Sequence, residues 1–135
     1  MSCIQNYTGV LILLLITIML SLAGCGDTTY MQGKRLYAAN CQNCHMEDGS
    51  GLGGLIPALS SSSQIGSTNF ACIIKNGLND TIFQDSTYLL KQMPSFKKFS
   101  ATEITNIVNY VNHTWAKDFK ESTILDVEKV LNECP

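Results

Sequence analysis

The stretch Cys41-Gln42-Asn43-Cys44-His45 constrains this chain more than any other. Two thiols three positions apart, followed at once by an imidazole, have the spacing for covalent attachment of a c-type haem. One short turn presents both sulfurs to the vinyl groups of a rigid porphyrin, and the adjoining imidazole reaches the iron from one face. Competing readings of the motif are a thioredoxin-like dithiol, half a zinc site, or chance. A thioredoxin-like dithiol calls for a βαβ pattern around it, and none is visible. A tetrahedral zinc site wants four nitrogen or sulfur ligands. The leftover candidates Cys72, His113 and Cys134 show no second paired spacing.

The first 25 residues differ in kind from the rest, because every charged side chain lies after them. Met1 to Thr8 is polar, without Lys or Arg, and Val10 to Leu20 is apolar but for Thr17. An apolar run of this length followed by small residues reads as a secretory signal and not as fold. Leu22-Ala23-Gly24-Cys25 resembles the lipobox of bacterial lipoproteins, which implies a cleaved leader and a lipidated Cys25 at the start of the mature chain. The alternative is an uncleaved anchor, although the run is short of the roughly 20 residues a span needs. Either version ties the chain to a membrane and exports the remainder. Acyl chains at about 0.8 kcal/mol per buried CH₂ make a stable anchor.

Export permits disulfides and sorts the six cysteines. Cys3 leaves with the leader, Cys25 takes lipid, Cys41 and Cys44 take haem, and Cys72 and Cys134 remain as a candidate bridge. The alternative for this last pair is a buried free Cys72 and a loose Cys134. The formal charge of −2 provides no basic footprint for nucleic acid.

The expected organisation is a lipoprotein signal peptide over 1–24, a lipidated tether over 25–29, a haem domain over 30–117 and a C-terminal helical extension over 118–135. Tyr30 to Asn40 holds good helix formers and one poor one, Gly33, which a close helix crossing would explain. Met46 to Leu59 is a glycine-rich loop. It lacks the Gly-Lys-Ser/Thr of a phosphate cradle. Ser67 or Thr68 can cap a helix running to Asn76, with Gly77 as its stop. Leu78 to Gln92 shows no clear period, Asn79-Asp80 suggests a turn, and a short helix near Tyr88–Gln92 is an option. Ser100 and Glu103 form a capping box, and Ile104, Ile107, Val108, Val111 and Trp115 make a helical stripe. Thr123 to Glu133 reads as a last amphipathic helix. Apart from weak local extended pairing no strands are expected, so the fold class is all-α, packed around haem.

A low-spin haem needs a second axial ligand, and the residues offer Met31, Met46, Met93 and His113. Met46 adjoins His45 on the wrong side, Met31 lies in the first helix, and His113 sits between stripe residues as a surface histidine. Met93 follows His45 by 48 positions, in an expected loop stiffened by Pro94.

Over roughly Tyr30 to Ala116 the chain resembles a small class I cytochrome c. The matching features are Gly33 and Tyr37, the Cys41–His45 motif, Ile56-Pro57-Ala58-Leu59, Asn76-Gly77, Met93-Pro94-Ser95-Phe96 and the Tyr110-bearing helix. The resemblance implies one covalent haem c with His45 and Met93 as axial ligands. It implies a crossing of the first and late helices at Gly33 and Tyr37. It also implies that the Pro57 carbonyl accepts the second N–H of His45. The expected function is a membrane-tethered, single-electron carrier between redox protein partners. The alternatives are a fixed relay subunit of a larger oxidase or reductase, and peroxidase-like or gas chemistry at an open iron. Lys91, Lys97 and Lys98 flank Met93 and could steer an acidic partner, or simply be a solvated face.

Overall fold

The late helix α5, Ala101–Trp115, organises the domain. Its start is fixed by the expected capping box: Ser100 Oγ accepts from the Glu103 N–H, and a Glu103 carboxylate oxygen accepts from the Ser100 N–H. Ile104, Ile107, Val108 and Val111 fall on one face and are all buried. This face forms the centre of the core with Tyr37, Leu59, Phe70, Ile74 and Val127. The computed structural model describes residues 9–18, 30–53, 55–67, 69–84 and 87–135. The lipobox, Cys25, the tether and Thr68 lie outside the described residues.

Residues 9–18 are helical and belong to α1. No helix among the described residues is long and apolar enough to cross a membrane. Helix α2, Met31–Asn40, crosses α5 at Gly33. A Cβ on Gly33 would run into the Asn106 carbonyl and the Tyr110 side chain, so only glycine lets these backbones approach. The short α3, Gln42–His45, follows directly and carries the second thiol and the imidazole. Residues 46–58 form the glycine-rich loop, then a 3-10 turn spans Leu59–Ser61.

Helix α4, Phe70–Asn76, is shorter than expected. Its N-cap is Asn69, without a side-chain capping bond, and the Ser67 hydroxyl is buried with no partner. Gly77 stops the helix as expected, at φ +76°.

The local extended pairing that the sequence allowed takes the form of one regular hairpin. Strands β1 (Leu78–Gln84) and β2 (Thr87–Met93) pair antiparallel, from Leu78 opposite Met93 to Gln84 opposite Thr87. Asn79 and Asp80 therefore lie within a strand and make no turn. Tyr88–Gln92 is extended and not helical, and Met93 is the last strand residue instead of a loop residue. The physical reason is local: Thr81, Ile82 and Phe83 pair in register with Leu90, Leu89 and Tyr88, and β-branched and aromatic residue types favour extended backbone. The fold is otherwise helical.

Helix α6, Ile124–Asn132, begins with a second capping box, Thr123 with Asp126. Asn109 of α5 holds the link before it: its amide donates to the Ser122 carbonyl and accepts from the Ser122 N–H, both at 2.9 Å. A disulfide joins Cys72 of α4 to Cys134, past the end of α6. At the start of the domain Tyr30 contacts His113 and Phe119, with ring centroids 5.0 and 5.5 Å away.

Candidate haem site

The motif turn is built by backbone hydrogen bonds. The Cys44 and His45 N–H groups both donate to the Cys41 carbonyl, at 3.1 and 2.9 Å. Cys41 itself ends α2, its N–H donating to Tyr37 O at 2.8 Å. This brings both thiols and the imidazole to one rim of an apolar cleft. The thiols are not bonded to each other; Cys41 is half-buried and Cys44 exposed. Burial, and next the nearby Cys44, push the Cys41 thiol up to about 11.

Met93 reaches the same cleft from β2, alongside Pro57, Phe96 and Ile74. Gly77 makes this placement possible, because a Cβ there would strike the Met93 carbonyl. The Phe96 N–H then donates to Ile74 O at 3.1 Å and fastens the Met93–Phe96 segment to α4. Of the other sulfur and imidazole candidates, Met31, Met46 and His113 do not line the cleft. His113 is on the surface, between Tyr30 and Phe119.

The residues present fit a covalently held haem. The cleft walls are mainly apolar, two free thiols and an imidazole share its rim, and a thioether lines it from a separate element. Burial lowers the His45 pKa and so favours the neutral imidazole, the form that ligates a metal. One expected contact differs. His45 Nδ1 is buried and has no hydrogen-bond partner, so the Pro57 carbonyl does not accept from it. The Ile56 and Pro57 carbonyls instead crowd Gly51, which stands at φ +70° and has no room for a Cβ. The half-zinc reading finds no support: among the described residues no cluster of three or more His, Cys, Asp or Glu could hold a metal.

Sequence reasoning missed the supports of the loop after His45. Tyr37 Oη donates to the Met46 carbonyl at 2.6 Å, and Trp115 Nε1 donates to the Asp48 carbonyl at 3.0 Å. Gly49 packs so closely on the Trp115 indole that a Cβ there would collide with it. The available signal was the aromatic character of Tyr37 and Trp115, since a buried Tyr or Trp usually finds a partner for its polar tip.

A family model described as cytochrome c oxidase, cbb3-type, subunit III matches residues 28–111. The chain is also similar to the cytochrome c subunit of a quinone alcohol dehydrogenase from Gluconacetobacter polyoxogenes, and to that from Komagataeibacter europaeus. Each is 25% identical over 109 residues, covering 78% of this chain and 23% of the relative. The chain thus spans about a quarter of the length of these curated relatives. With the family match running from just before α2 through most of α5, the chain belongs to the cytochrome c family of that model, as a helical electron-transfer domain for covalently bound haem c.

Proposed function

We propose that this protein is an exported, membrane-tethered monohaem cytochrome that passes single electrons between redox partners. The observation that carries this reading is the convergence of Cys41, Cys44, His45 and Met93 on one apolar cleft. Cys41 and Cys44 would hold the group by thioethers, and His45 and Met93 would be the ligands to its iron. Bound haem c supplies a one-electron Fe(III)/Fe(II) couple. Met93 offers a soft thioether, which favours the reduced state and raises the potential. The apolar walls, Phe96 and Ile74 among them, keep water out and disfavour the extra charge of the oxidised state. Exposed Cys44 leaves the attached edge near solvent, where a partner can approach.

Cys25 carries lipid in this reading, so the domain works outside the cytoplasm on a short tether. Replacing Cys25 with Ser should move the protein from the membrane fraction to the soluble extracytoplasmic fraction; retention in the membrane would refute the anchor. Lys91, Lys97 and Lys98 steer an acidic partner, and electron-transfer rates that do not respond to ionic strength would remove that role.

A second reading, a fixed relay within a larger complex, is favoured by the relatives, which are subunits of a quinone alcohol dehydrogenase. Co-purification with a membrane complex would support it, and a monodisperse monomer after removal of the lipid would weaken it. The central experiment is a visible spectrum with redox titration of the wild type and of Met93→Ala. The reading expects a low-spin spectrum with the weak far-red band of thioether coordination, lost in Met93→Ala together with a large drop in potential. A high-spin wild type without that band would overturn it.

A further inference from the structure

Among the described residues outside α1, the exposed large apolar side chains fall into two groups. Leu52, Leu55 and Leu78 belong to the cleft side: Leu55 and Leu78 line the cleft itself, and Leu52 bridges to Ile56, which also lines it. Phe119, Ile124 and Leu125 lie in the link before α6 and its first turn, and do not line the cleft. Leu125 is the most open, at 76%. Apolar residues scattered singly over a surface need no explanation, but three within one short segment do.

Helix α5 fixes where this second group sits. The Phe119 ring meets His113 edge-on at 5.3 Å, and Asn109, one turn earlier, grips Ser122 with two hydrogen bonds. Residues four apart share a helix face, so the link runs along one side of α5 and delivers Ile124 and Leu125 beside it. Tyr30 packs on both rings, 5.0 Å from His113 and 5.5 Å from Phe119. It stands at φ 59°, ψ 21°, an uncommon conformation for a residue with a Cβ, and turns the chain into α2. The tether thus joins the domain at Phe119. Cys25 precedes Tyr30 by five positions, and a fully extended chain of that length reaches about 18 Å at most. From there α2 leads away, its ten residues rising about 15 Å to Cys41.

We propose that Phe119, Ile124 and Leu125 form a membrane-facing patch: with Cys25 anchored, they rest among the lipid headgroups and stand the haem cleft off the surface. The proposal rests on the reading of Cys25 as lipidated. The occupant is lipid because the base of the tether touches the patch. A contact too weak to form between free molecules is populated once one end is already bound. Aromatic and apolar side chains suit that depth, where one end of a group is dry and the other wet. Charge is not the attraction, since Lys117 and Lys120 are offset by Asp118, Glu121 and Asp126. The contact should therefore not weaken as salt is raised. In this arrangement the leucines at the cleft stay free for a redox partner.

The test uses the processed, lipidated, haem-loaded protein in vesicles of phosphatidylethanolamine and phosphatidylglycerol. No thiol of that form is free, so Phe119→Cys, Leu125→Cys and Leu55→Cys each take a single spin label. The low-spin haem is kept reduced and diamagnetic. Collisions of the label with oxygen, which concentrates in lipid, and with a water-soluble nickel chelate then report its surroundings. Phe119→Cys and Leu125→Cys should show an oxygen-to-nickel ratio severalfold above that of Leu55→Cys, at low and at high salt. Adding Phe119→Ser and Ile124→Ser to Leu125→Cys should bring its ratio down to that of Leu55→Cys while the protein stays on the vesicles. Equal ratios at all three positions, or a ratio that the serine replacements do not lower, overturn the proposal. Low collision rates with both reagents at 119 and 125 also overturn it, because they mark cover by a second copy or another protein. Should Phe119→Cys fail to accumulate, Leu125→Cys decides, since that side chain is the most exposed. The mass of the intact protein separates the two readings. Without acyl chains the anchor and the patch both fall, whereas an acylated protein with labels in water refutes the patch alone.

Discussion

The two flanks of the cleft are held in different ways. The His45 flank rests on helix packing and on side chains that reach across the domain: Gly33 against Asn106, Tyr37 on Met46, Trp115 on Asp48. Among the described residues no disulfide ties it down. The Met93 flank hangs from a hairpin whose strands pair with each other, and is fastened at the Gly77 close approach and the Phe96–Ile74 hydrogen bond. Behind those fastenings, α4 is joined to the C-terminal extension by the Cys72–Cys134 bridge. One flank therefore has many weak, redundant supports and the other has few, backed by a covalent one. Redundant packing resists the loss of any one contact, whereas a flank with few supports opens locally once its fastening goes.

The largest effect should come from that covalent support. The bridge spans 62 residues in sequence, and chain-entropy arguments put its contribution at about 4 kcal/mol. Replacing both cysteines with Ala should lower the urea midpoint accordingly, and the Met93 band should be lost at lower urea than the His45 signature. Simultaneous loss would break the contrast between the flanks. Next comes Gly33→Ala, which forces α2 off α5 and should cost about 3 kcal/mol as overpacking, read by thermal unfolding. It should disturb the His45 signature before the Met93 band, the reverse order. Trp115→Phe removes one hydrogen bond to a loop carbonyl and should cost about 1 kcal/mol, with little effect on the Met93 band.

The smallest effect concerns pH. Hydrogen bonds from Ser100 and Thr123 hold the Glu103 and Asp126 carboxyls below their ordinary values. A lowered carboxyl pKa contributes stability that is present above the unfolded value and lost as pH falls through the folded one. Stability should therefore decline slightly below about pH 4, and Ser100→Ala with Thr123→Ala, which keep the backbone N–H bonds but remove the hydroxyl ones, should flatten that decline in part. Both carboxyls are exposed, so the change is small. A decline of unchanged slope in the double variant would show that these caps do not cause it.

The His45 flank was largely legible because its signals are local: a five-residue motif, a capping box and a stripe of period 3.6. The crossing at Gly33 needed a long-range reason for a glycine inside a helix, and the structure supplies it as the Asn106 carbonyl. The Met93 flank was less legible. Leu78–Gln84 does not alternate cleanly between apolar and polar, so its extended state shows only in its β-formers. The visible turn signal at Asn79-Asp80 lost to pairing, which runs on to Gln84 opposite Thr87. For the supports at Tyr37, Trp115 and Asn109 the sequence shows at most that a polar tip needs a partner, not which one. Each is a side chain meeting a backbone group distant in sequence, and no spacing rule reports such a meeting.

The disulfide also divides the chain topologically. Residues 72 to 134 form a closed ring that contains Met93 and α5, while Cys41, Cys44 and His45 lie on a tail outside it. The tail is held to the ring without a covalent bond, by α2 laid across α5 and by contacts such as Trp115 with Asp48. A cut in the loop between Gly51 and Leu59 would thus yield two pieces with no covalent link in the polypeptide. Thioethers on the tail and a thioether ligand from the ring would make the prosthetic group itself the rivet between them.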